Sequence, residues 1–243
     1  MPYSFQLTTD GGVGGTRFLL GMPDPILFMN TDRPEDESWT LFRQSKRIDC
    51  KIYYPVTNLL NVSKDATDEI KKKNLTVLET ILDDIGTAKQ KGYKSIAIDT
   101  KTVIWKLLLP LVNFGKTDKI PPEQRGILTS QLTMIINELW RSGLNFGYTV
   151  RTKEEYKKNV PTGNMVPDSA KDSNTFAQTN IILSRRVLPN TGMNQWPFDG
   201  AMHFCAEITK CNPSPFLVGQ WLYDGQISFD FIVNTIQQPY KVA

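Results

Sequence analysis

The residues with the most evident chemical use lie near the start of the chain, in Thr9-Asp10-Gly11-Gly12-Val13-Gly14-Gly15-Thr16-Arg17. A glycine-rich turn between an apolar strand and an apolar helix lets several backbone N–H groups converge on an anion. The helix N-terminus adds a partial positive charge. Phosphate is the anion such a turn suits. The full phosphate-loop pattern is G-x-x-x-x-G-K-[ST], with the lysine on the β/γ-phosphates and the hydroxyl on magnesium. Gly14 and Thr16 fit that pattern, whereas Gly15 stands at the lysine position and Thr9 at that of the first glycine. Gly11, Gly12, Val13, Gly14, Gly15, Thr16 and Arg17 are the candidate cradle for the phosphates of ATP. Arg17, second in the helix, is expected to point away from it.

Nucleotide chemistry also needs an acid to hold Mg²⁺ beside the hydroxyl. Lys94-Ser95-Ile96-Ala97-Ile98-Asp99-Thr100 reads as an apolar strand ending in such an acid, so Thr16 and Asp99 are the expected metal-handling pair. Phosphoryl transfer depends almost wholly on positioning and charge, and the lysine is missing. No lysine precedes Lys46, so Arg151 and Lys210 remain as cations that can take its place.

The elements that must position these groups follow from periodicity. Phe5 to Thr8, Pro25 to Asn30, Ile52 to Tyr54, Lys94 to Thr100 and Leu144 to Val150 read as strands. Thr16 to Met22 makes a brief helix. Ala66 to Lys91 and Gln124 to Ser142 carry apolar residues at helical spacing, and Gly143 caps the second. Arg151 to Thr179 is polar, with little apolar periodicity, and reads as a long, mobile loop. Beyond it, Asn180 to Ser184, Met202 to Thr209, Phe216 to Leu222 and Gln226 to Phe229 read as strands. The expectation is a single α/β domain over residues 1–243, with a mainly parallel sheet flanked by helices and antiparallel strands at the C-terminal end.

The same stretches resemble phage-encoded RecA-like P-loop ATPases, the AAA-type nucleotide-binding proteins of recombination and replication modules. Gly14-x-Thr16, Gly21-Met22-Pro23-x-Pro25 and Asn30-x-Asp32-Arg33 are similar to that family's first βαβ unit. Ile96 to Thr100 resembles its Walker B strand. Arg151-Thr152-Lys153-Glu154-Glu155-Tyr156 and Thr162 to Pro167 resemble the segment behind its sensor strand. Glu207 to Phe216 resembles the hairpin whose basic residues reach a neighbouring subunit's γ-phosphate, with Lys210 matching the first of them and Asn212 standing where a second is often found. The resemblance implies a RecA-like core, ATP with Mg²⁺, self-assembly, and work on DNA beside other phage replication or recombination proteins. It also implies a water-orienting carboxylate after the second core strand, here ending at Asn30, with Asp32 and Glu35 as the candidates.

Composition sets outer bounds. Of the 243 residues, 40% are hydrophobic and 22% charged, and the net charge is +3, values of an ordinary folded protein whose mild basicity permits nucleic-acid contact without requiring it. No apolar run approaches the roughly 18 residues a membrane span needs. The start lacks a signal-peptide pattern, so a cytoplasmic site is expected, that of the host cell if the protein is phage-encoded. Cys50, Cys205 and Cys211 are too scattered for a disulfide framework or a zinc site. His203, the one histidine, lies in an apolar run and reads as a packed strand residue. Between Arg151 and Thr179, Arg151, Lys153, Lys157, Lys158 and Lys171, with Tyr156 and Phe176, suit a single-stranded DNA groove. Glu154, Glu155, Asp168 and Asp172 offset most of that charge. Two readings stay open: a DNA-acting nucleotide-binding protein with or without ATP hydrolysis, and an inactive P-loop-derived binding or structural subunit of a phage assembly.

Overall fold

A computed structural model describes residues 2–9, 14–31, 43–55, 64–112, 122–157, 160–168, 176–187 and 201–237. Its frame is one sheet in the order β3-β2-β4-β5-β1-β7-β8-β9. The strands are β1 (Ser4–Thr9), β2 (Ile26–Asn30), β3 (Ile48–Ile52), β4 (Ser95–Asp99), β5 (Asn145–Lys157), β7 (Thr179–Val187), β8 (Met202–Cys211) and β9 (Trp221–Tyr223). β6 (Val160–Pro167) pairs only with the far half of β5. The pairs from β3 across to β7 are parallel, and β8 and β9 add antiparallel strands at the C-terminal end. The fold is thus α/β, with a mainly parallel sheet flanked by helices, as the alternation of patterns predicts.

Helices cover both faces, which is why β1 and β2 are buried along their whole length and β2 is apolar on both sides up to Asn30. On one face, α2 (Lys64–Ala88), α3 (Lys101–Val112) and α4 (Pro122–Ser142) pack on Leu27, Met29, Ile96, Ile98, Phe146 and Tyr148. On the other, α1 (Gly15–Leu20) and α5 (Phe229–Gln237) pack on Phe5, Leu7, Ile26, Phe28, Ala97 and Ile181. Phe5 meets Phe18 of α1 and Phe229 of α5 edge-on, each with ring centroids 5.4 Å apart. The short α1 can press this closely because Gly147 lies beneath it. A Cβ there would come within 2.7 Å of Leu19 Cδ2.

Five stretches differ from the periodicity reading, the first being α3, for which it named no helix. The edge strand β3 precedes Tyr53, whose hydroxyl faces α2 instead. Arg151 to Thr179, expected as a loop, carries the far half of β5 and all of β6, a hairpin polar enough to hide its alternation. Phe216 to Leu222 and Gln226 to Phe229 are 3-10 turns at Pro215–Leu217 and Asp224–Gln226 around the short β9, and α5 follows. Phe229, Ile232, Val233 and Ile236 of α5 are buried at helical spacing.

The sheet edge is held by a buried carboxylate. Asp84 of α2, 4% exposed, accepts hydrogen bonds from Lys51 and from the Tyr53 hydroxyl (2.7 Å), with Lys91 at 3.7 Å. Burial pushes its pKa up, but hydrogen bonds from Lys51 and Tyr53 and the charges of Lys51 and Lys91 outweigh that and hold it below the ordinary carboxylate value. This stabilisation is present above the unfolded-state pKa and is lost as pH falls through the folded one. Asp84→Ala is expected to lower stability by about 1.5–3 kcal/mol in urea unfolding at pH 7, with a smaller loss at pH 3. An equal loss at both pH values would sink the assignment.

Candidate functional site

Because β1, β2, β4, β5 and β7 run parallel, one edge of the sheet collects the C-terminal ends of β1, β2 and β4. Ligands of open α/β sheets bind outside such an edge, where the connections diverge. The crossover from β1 passes over β5 and β4 to β2, so divergence falls between β1 and β5. Gly14, with φ +95°, turns the chain there into α1, and only glycine takes that conformation without strain.

At this edge Thr16 Oγ1 donates to Asp99 Oδ2 at 2.6 Å. Thr149 of β5 donates to the other carboxylate oxygen, Asp99 Oδ1, at 2.5 Å. The strand order makes this possible: β5 lies between β1 and β4, so Thr149 faces both the helix start and the acid. Further threonines knit the edge together. Thr31 Oγ1 accepts from Thr100 N (2.9 Å) and donates to Thr100 O (3.0 Å), and Thr100 Oγ1 donates to Thr149 O (2.9 Å). Thr102 Oγ1 accepts from Arg151 N at 2.9 Å. Asp99 is thereby fixed in orientation from both sides.

Hydroxyl and carboxylate oxygens are the donors a hard cation takes. Mg²⁺ characteristically uses one or two protein oxygens, with water and phosphate completing its shell. Thr16 and Asp99 fit that role. Among the described residues no cluster of three or more His, Cys, Asp or Glu forms a protein cage for a metal.

The remaining sequence candidates are placed as follows. Gly15 is buried, and a Cβ there would lie 3.0 Å from Thr149 Cγ2 and 3.4 Å from Thr9 Cγ2. Arg151 pairs with Thr9 across β1 and β5, two residues beyond Thr149 on the same face of β5. Arg17 is exposed on α1 and lines a pocket beside it. Lys210 pairs with Asn180 at the opposite end of the sheet, and its ammonium donates to Ala177 O at 2.5 Å. Burial lowers its pKa. It does not reach Thr16 within this chain. Gly11, Gly12, Val13, Asp32 and Glu35 lie outside the described residues.

The pocket beside α1 has a volume of about 490 Å³ and was not legible in the sequence. Gly14, Arg17 and Phe18 form one wall, with Phe204, Asp224 and Asp230 opposite. Asp224 orders that wall by accepting from Phe204 N at 3.2 Å and contacting His203 Nδ1 at 2.7 Å. Lys46, also at the rim, donates to Gly21 O and Met22 O at 2.9 Å each and closes the C-terminal end of α1. The one histidine thus supports a pocket wall.

No family model matches this sequence, and no curated protein does. Among solved structures, the chain is similar to a RadB recombinase. The likeness covers 91% of this chain and 86% of that one, at 9% identity and a TM-score of 0.48.

The candidate DNA-contacting residues divide. Lys153 pairs with Asp168 at 3.1 Å, and Lys106 pairs with the same carboxylate at 3.2 Å. Phe176 packs against the core, and its carbonyl accepts from Trp140 Nε1 at 3.2 Å. Outside that set of candidates, Arg185 and Arg186 stack on Phe204 and Trp221, 4.4 and 4.2 Å from the ring centroids. The side chains of Tyr156, Lys157, Lys158 and Lys171 lie outside the described residues. No helix among the described residues is long and apolar enough to cross a membrane.

Proposed function

We propose that this chain is a RecA-like nucleotide-binding protein that takes ATP with Mg²⁺ at the sheet edge and acts on DNA in phage recombination or replication, as a homo-oligomer. One observation carries the reading: the hydroxyl that follows the glycine loop and the acid that ends β4 meet at 2.6 Å although 83 positions separate them. The meeting of two independently weak motifs supports the reading. Mg²⁺ bound there supplies charge neutralisation to the phosphates; Thr16 and Asp99 hold it, and Thr149 fixes the carboxylate. The pocket lined by Gly14, Phe18 and Phe204, with Arg17, Lys46, Asp224 and Asp230 around them, has the size for the nucleoside. Lys210, remote from Thr16 in its own chain, is assigned to a neighbouring subunit's site.

A second reading keeps the fold and gives up the reaction, leaving a binding or structural subunit of a phage assembly. It is favoured by Gly15, where a lysine's Cβ would sit tightly against threonine methyls 3.0 and 3.4 Å away. Titration of the full chain with a fluorescent ATP analogue, with and without Mg²⁺, is the test. Micromolar, Mg²⁺-dependent binding is expected on the first reading, and its complete absence would leave only the second. Turnover with and without single-stranded DNA, together with DNA binding across a salt series, separates hydrolysis from binding.

A further inference from the structure

We propose that Arg151 supplies from β5 the positive charge that a phosphate-loop lysine would supply from α1, an inference that rests on the nucleotide reading. The lysine is not simply missing. The side of Gly15 from which it would grow faces Thr149 Cγ2 at 3.0 Å, Thr9 Cγ2 at 3.4 Å and Leu183 Cδ1 at 3.9 Å. Thr149 cannot swing aside without cost, because its hydroxyl holds Asp99 at 2.5 Å. A lysine at Gly15 would press its Cβ against the threonine that orients the acid, so a cation on the neighbouring strand meets less crowding.

The neighbouring strand provides the replacement. Side chains alternate along β5, with Phe146, Tyr148 and Val150 in the core under α2–α4 and Thr149 toward α1. Arg151 therefore faces the α1 side, one strand repeat beyond Thr149, opposite Thr9 where β1 ends. Its backbone is fixed there by hydrogen bonds from Arg151 N to Thr102 Oγ1 (2.9 Å) and from Asp168 N to Arg151 O (2.6 Å). A side chain leaving β5 at Arg151 does so on the face that carries α1. Its planar fork suits two phosphate oxygens at once, which a lysine cannot do.

The test measures ATP and AMP affinity in the wild type, Arg151→Ala, Arg151→Lys and Gly15→Lys, each checked for folding by its melting temperature. Arg151→Ala is expected to weaken ATP about ten- to a hundredfold, AMP much less, and Arg151→Lys to recover part of the loss. Gly15→Lys is expected to lower the melting temperature with no gain in ATP affinity. Equal ATP affinity in the wild type and a folded Arg151→Ala would overturn the proposal while leaving the nucleotide reading intact. So would a tenfold gain from Gly15→Lys, which would show the lysine's path to be open. A wild type that binds neither nucleotide removes the reading beneath it.

Discussion

Asp99→Ala is expected to abolish the Mg²⁺-dependent part of ATP binding, a loss of at least about a hundredfold, while the chain remains folded. Outer-shell groups around a bound metal already cost ten- to a hundredfold when removed, and Asp99 is placed to touch the metal itself. Its carboxylate is the one acid beside Thr16 among the described residues, so no neighbour there can take over. The structural cost is smaller. Thr16, partly exposed, and Thr149, buried, lose their acceptor, which sets the destabilisation at about 1–3 kcal/mol. Measuring ATP affinity at zero and millimolar Mg²⁺ separates the effects: the variant should bind weakly and equally in both, whereas the wild type should gain from the metal. Asp99→Asn keeps the shape and an acceptor oxygen but removes the charge, and should lose most of the metal dependence with less loss of stability. If Asp99→Ala retains the full Mg²⁺ effect, Asp99 is a structural acceptor for two threonines and the metal site lies elsewhere.

Much of this edge was legible in the residues. Thr16 and Asp99 stood out because their types are tied to their places, a hydroxyl after glycines and an acid closing an apolar strand. The parallel core was legible for a related reason: strands such as Ile26–Asn30, buried on both faces, have no polar alternation to confuse them. Thr149 was not legible. Threonine is an ordinary strand residue, and only the insertion of β5 between β1 and β4 turns it toward Asp99. The meaning of Gly15 was half legible, since the sequence shows a lysine absent but not the methyl groups in its path. The pocket wall at Phe204, Asp224 and Asp230 was hidden because α5 read as a strand end, although the spacing of Phe229, Ile232, Val233 and Ile236 carries a helical signal. The β5–β6 hairpin was missed for a physical reason. With Lys153, Glu154, Val160 and Met165 all exposed, it has little buried face to impose alternation.

Lys101→Met is expected to stabilise the protein near neutral pH and to flatten its pH dependence between about pH 7 and 9.5. Lys101 is 1% exposed at the start of α3. Its ammonium donates to Gln6 Oε1 at 3.2 Å and lies 4.2 Å from the centre of the Tyr148 ring, with no ion pair among the described residues. Burial without a counter-charge pushes its pKa down to about 7 from 10.5. Between those values the unfolded chain binds the proton and the folded chain does not, so stability rises with pH across that window. Below pH 7 both states are protonated and the whole burial penalty stands, on the order of a few kcal/mol. Above about pH 10 the trend reverses, because burial raises the Tyr148 hydroxyl pKa and the unfolded chain ionises first. Methionine fills similar volume without a charge, giving up one hydrogen bond and one ring contact worth about 1 kcal/mol each. Urea unfolding of both proteins at pH 6.5, 8 and 9.5 checks this, and a flat wild-type profile would sink it. The same geometry decides a point about the site. Lys101 follows Asp99 by two residues, closer in sequence than any other cation, yet Gln6 and Tyr148 hold it beneath the sheet on the side away from α1. A phosphate at the start of α1 is therefore beyond its reach, and the charge that meets it must come over the strand edge.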